Sequence, residues 1–92
     1  FYDTSTAGAA AITGSGSVGF FNDSKAGSAT IAMSGFADVT FANNSSAENA
    51  TISGNSVGFF GSSTAGSAKI TGSGQIYFTD SSTAGNAVIV NG

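Results

Sequence analysis

The ionisable side chains of this 92-residue chain are few. Asp3, Asp23, Asp38, Glu48 and Asp80 carry the negative charge, Lys25 and Lys69 the positive, and the net is −3. A glycoside hydrolase holds two carboxylates at a fixed separation across a cleft. Asp3 and Asp23 come nearest to such a pair, because the repeat described below puts both near one corner of adjacent turns. Asp at a turn commonly bonds its own backbone, so these acids read as turn residues. A nucleophilic Ser needs a base. The chain has no His, and its two lysines read as exposed. Without Cys there is no thiolate chemistry and no disulfide. A Gly-Gly-x-Gly-x-Asp calcium repeat is also missing. Two lysines cannot form the basic stripe a nucleic acid requires. These residues predict a protein that is not an enzyme and binds no cofactor, metal or nucleic acid.

What remains must be structural. Charged residues make up 8% of the chain, against ~25% in ordinary globular proteins. Yet 40% are apolar and eight are Phe, a composition that buries a core rather than staying disordered. No run approaches the ~20 apolar residues of a membrane helix, so insertion into a membrane by such a helix is not expected. The chain opens on Phe1 rather than Met, which reads as a processed product or a segment of a longer protein.

The organising feature is a repeat. Phe1, Phe20, Phe41, Phe59 and Phe78 are spaced by 19, 21, 18 and 19 residues. Eleven residues after each stands Ile12, Ile31, Ile52, Ile70 or Ile89. Ala recurs nine residues on (Ala10 to Ala87) and six on (Ala7 to Ala84), and Ser four on (Ser5 to Ser82). Val18, Val39, Val57 and Ile76 stand two residues before the later Phe positions. Length varies between the Ile and the Val, where a loop is expected, marked by Gly14-Ser15-Gly16 and Gly72-Ser73-Gly74.

These columns pair at a spacing of two, the strand period: Val-x-Phe, Ser-x-Ala and Ala-x-Ile. Each repeat therefore predicts one triangular turn of three short strands, stacked on the next at ~4.8 Å. The fold expected is all-β, a parallel β-helix of about five coils of 18–21 residues (1–19, 20–40, 41–58, 59–77 and 78–92) in one solenoid domain. Phe, Ile and Val face small Ala residues across a narrow core, with the Ser column expected inward and an outward orientation as its alternative. Gly8, Gly27, Gly66 and Gly85 share a corner column suited to positive φ. Glu48 interrupts it and predicts a different bend in the third coil.

The segments Ser63-Thr64-Ala65-Gly66-Ser67-Ala68-Lys69-Ile70 and Ser82-Thr83-Ala84-Gly85-Asn86-Ala87-Val88-Ile89 resemble the STAGNATI-type repeats of bacterial autotransporter passenger domains. The Gly-x-Val-x-Phe sequence that follows is similar too, and the resemblance spans essentially the whole chain. It implies a right-handed β-helix, bacterial export and display at the cell surface or beyond it. The membrane barrel and capping region of that family are not in these residues.

The function expected is a non-catalytic structural solenoid: a stalk or adhesin segment, or an extracellular fibre subunit stacking end to end. Both end turns carry core columns without polar caps, so self-association at the ends is the expected partnership, with a host or cell-surface ligand as a further partner. The alternative is an ice-binding, glycan-binding or glycan-acting β-helix. The outward row Ala11, Thr30, Thr51, Lys69, Val88 bears on ice binding, since Lys interrupts a Thr array. Tyr2, Phe21 and Phe60, each just after a core Phe, and Phe36 in the longest loop are the candidate surface contacts.

Overall fold

The structure is a computed structural model, and it describes residues 4–35 and 37–91. It contains seven strands: β1 (Ala11–Gly14), β2 (Val18–Phe20), β3 (Thr30–Met33), β4 (Asp38–Phe41), β5 (Thr51–Phe59), β6 (Lys69–Phe78) and β7 (Val88–Asn91). No helix occurs among the described residues. Every strand pairing is parallel, and each joins the same columns of successive repeats. Ile12 pairs with Ile31, Ile31 with Ile52, Ile52 with Ile70 and Ile70 with Ile89. On a second side Val18 pairs with Val39, Val39 with Val57 and Val57 with Ile76. The chain is a parallel β-solenoid of about four turns rather than five, since the outer repeats each contribute part of a turn.

The third side differs from the expected strand. Ser-x-Ala is reduced to a ladder of single bridges running Thr6, Lys25, Ser46, Thr64, Thr83. The corners explain the shortening. Asn22 and Gly27 both have positive φ (60° and 66°), as do Asn43 and Glu48 (59° and 50°) and Gly61 and Gly66 (65° and 61°). A turn opening on a left-handed residue at each end leaves only three residues between the corners, and these form a single bridge per coil. Glu48 takes the same left-handed conformation as the glycines of its column, so the third coil does not bend differently. The expected loop also changes along the rod. In β5 and β6 the Ile side and the Val side run as one continuous bent strand, with an irregularity between Gly54 and Ser56. Gly72 and Gly74 lie within β6 rather than in a separate loop.

The two corners that flank the Ser-x-Ala side close with the same kind of backbone bond. Ala29 N–H donates to Ala26 O at 3.2 Å, Ala50 to Ala47 at 3.0 Å and Ala68 to Ala65 at 3.1 Å. Ser24, Ser45 and Ser63 close the other corner by donating to Phe21, Ala42 and Phe60 at 3.2 Å. Glycine at these corners also lets coils approach. A Cβ on Gly27 would stand 2.8 Å from Gly8 O, and one on Gly85 2.8 Å from Gly66 O.

Inside, Phe20, Phe41, Phe59, Ile31, Ile52, Ile70, Val39 and Val57 are fully buried against the Ala columns. The rings of Phe20, Phe41, Phe59 and Phe78 stack at 4.7, 4.8 and 4.7 Å with interplanar angles of 4°, 5° and 9°. Planes touching at ~3.5 Å would slip sideways by ~3 Å at that centroid spacing, the offset arrangement aromatic quadrupoles favour. Ser24, Ser45 and Ser63 are buried too, which places the Ser column inward. Ser63 Oγ donates to Phe41 O at 3.2 Å, while Ser45 Oγ is buried without a hydrogen-bond partner.

An unpaired buried hydroxyl costs about 1–3 kcal/mol, whereas a made hydrogen bond contributes about 1 kcal/mol. Ser45→Ala is therefore expected to leave stability unchanged or raise it by about 1 kcal/mol, and Ser63→Ala to lower it by about 1 kcal/mol. Urea midpoints of the two variants check this. Equal losses would show that Ser45 is bonded like Ser63.

Candidate functional surfaces

The polar side chains are engaged mainly in holding one coil to the next. Asn43 Oδ1 accepts from Asn22 N–H of the coil before at 3.0 Å, and Asp80 Oδ2 accepts from Gly61 N–H at 3.2 Å. The outward hydroxyl column is used as well. Thr6, Ser46 and Thr64 each accept from the N–H two residues on, at Gly8, Glu48 and Gly66, all at 3.1 Å. Lys25 occupies that column without a hydroxyl. Asp23, Asp38 and Asp80 are exposed on the surface, as are both lysines. No group of three metal-ligating side chains occurs among the described residues. Asp3, and with it the juxtaposition of Asp3 and Asp23, lies outside the described residues.

Of the four candidate contact residues, Tyr2 and Phe36 also lie outside the described residues. Phe21 and Phe60 are half-buried. Each ring folds back over the glycine two residues before it. A Cβ on Gly19 would stand 2.6 Å from Phe21 Cε2, and one on Gly58 2.8 Å from Phe60 Cε1. Phe60 meets Tyr77 edge to face, with centroids 5.5 Å apart at 85°. Tyr77, 38% exposed, joins this surface and was missed from sequence. Its signal lay in the column before the core Phe, which reads Gly19, Thr40, Gly58, Tyr77 and points outward by alternation. Thr40 and Ala42 flank Phe41 where Phe20 and Phe59 are flanked by Gly and Phe, so the aromatic strip is interrupted.

The face formed by β1, β3, β5, β6 and β7 carries two outward rows. The first aligns Ala11, Thr30, Thr51, Lys69 and Val88, and the second Thr13, Ala32, Ser53, Thr71 and Val90. Val88 and Val90 are 58% and 56% exposed, and Lys69 interrupts the hydroxyls, so the face is mixed rather than a regular Thr array. No family model, curated protein or solved structure matches the chain.

The Gly58 surface yields a direct test. Gly58→Ala would place a methyl within 2.8–2.9 Å of the Phe60 and Tyr77 rings. The rings must swing out, at an expected cost of about 1–3 kcal/mol, the range for overpacking. Thermal denaturation with tyrosine fluorescence should show both the loss and a changed Tyr77 environment. In a Phe60→Ala background the same substitution should cost less. Equal costs in both backgrounds would remove the Phe60–Gly58 contact from the account.

Proposed function

We propose that this chain is a segment of a non-catalytic structural rod, an extracellular or cell-surface stalk or fibre whose coils are continued end to end. The observation that carries this reading is the unbroken column register. Among the described residues, Phe20, Phe41, Phe59 and Phe78 align coil on coil, as do Ile12, Ile31, Ile52, Ile70 and Ile89, and Val18, Val39, Val57 and Ile76. The same residue types persist in the outermost coils, where Ile89 is 38% exposed and Ile12 only half-buried. A further coil, from the same polypeptide or a second copy, would pair with the outer edges of β1 and β7 and cover that apolar surface. Like side chains stacked on themselves repel if charged, which suits a rod that keeps charge low. The resemblance to autotransporter repeats supports display outside a bacterial cell. Ice binding is less well supported, because Lys69 and Val88 stand in the row where hydroxyls would be needed.

Self-stacking is tested by sedimentation and electron microscopy of the 92-residue chain. The expected result is concentration-dependent association into rods several times longer than one chain. Ile89→Lys combined with Ala10→Lys should abolish it while the circular dichroism spectrum stays β-type. A chain that remains monomeric at millimolar concentration, with no end contacts in any image, would overturn stacking between copies.

A further inference from the structure

The repeat is uneven in one place, and the unevenness makes a groove. The coil beginning at Phe20 is 21 residues long and carries β3 and β4 as separate strands, whereas the next is only 18 and β5 runs through it without a break. Where the two coils differ lies a groove of about 370 Å³ lined by residues of four successive coils, within the ~300–1,000 Å³ range of small-ligand sites. Met33 forms part of its wall. Met33, in the second coil, extends its side chain toward the first, where its Cε lies 3.8 Å from where a Cβ on Gly14 would be, and its own Cβ lies 3.7 Å from where a Cβ on Gly54 of the third would be. Gly54 and Gly72 pair at the bend, where a Cβ on Gly72 would stand 2.8 Å from Ile76 Cγ1. Along the groove Ser53, Thr71 and Val90 stand in register at the ladder spacing.

We propose that this groove binds a short neutral saccharide. No ionisable side chain among the described residues lines it, so a charged ligand would find no counter-charge there. The Ser53 and Thr71 hydroxyls make no hydrogen bond to the described residues, and Asn55 Nδ2 has only a 3.5 Å contact to Ser56 Oγ. A purely apolar ligand would strip water from these groups without replacing it. A ligand carrying both hydroxyls and C–H faces pairs with them and covers Met33 and Val90 together. A sugar has that chemistry, and the axial run of the groove suits a chain of rings rather than a single one.

The test is a titration of the isotopically labelled 92-residue chain followed by NMR, with cellotriose, maltotriose and xylotriose as neutral probes. Tri-galacturonate is the charged control and cyclohexanol the apolar one. Saturable shifts at Ser53, Asn55, Thr71 and Met33 are expected with at least one neutral trisaccharide and with neither control. Ser53→Trp, on the outer face and filling the groove, should weaken that response about tenfold or more, with amides elsewhere unchanged. Thr71→Trp provides a second variant should the first perturb the fold. Absence of saturable shifts with all three sugars, an equal response to either control, or shifts mapping to Phe60 and Tyr77 would overturn the proposal.

Discussion

The molecule depends on one constraint: successive coils are hydrogen-bonded in parallel and in register, so each residue lies a strand spacing of about 4.8 Å from its equivalent in the next coil. The stacked Phe rings repeat that spacing, at 4.7–4.8 Å. Side chains are therefore selected for compatibility with copies of themselves. Phe stacks on Phe, Ile nests on Ile, and Ala fills the narrow side. Charge is nearly absent because the ladder would multiply any repulsion. Asn and Asp survive at corners, where a side-chain oxygen of one coil accepts the backbone N–H of the previous one.

The same constraint separates what sequence reveals from what it hides. A residue type recurring at fixed intervals is visible without coordinates, so the parallel solenoid and its Phe, Ile, Val and Ala core were legible. What was not legible depends on backbone angles at single positions. Two left-handed corners close together shrink the Ser-x-Ala strand to a bridge, and φ of +50° at Glu48 continues a glycine column that its residue type breaks. Likewise, alternation turned Phe21 and Phe60 outward, but it could not show that each folds back over a glycine. Nor could a column of identical Ser residues show that Ser63 is bonded and Ser45 is not.

Function follows the same division. The regular columns support a rod, and they say nothing about what a rod carries. Any recognition must come from departures from the repeat: the groove beside the longer second coil, and the Phe60–Tyr77 contact. Both arise where a coil differs from its neighbours in length or in outward residues. A solenoid can vary these without disturbing its core, because insertions fall between the ladder segments.

The central claim is register, and internuclear contacts measured in solution test it most directly. In a methyl- and ring-labelled sample, the Ile52 methyls should show nuclear Overhauser contacts to Ile31 and Ile70, and the Phe41 ring to Phe20 and Phe59. Contacts from Phe41 confined to its own repeat, or close Hα–Hα pairs between neighbouring repeats of the kind antiparallel strands produce, would contradict the stacked-coil account.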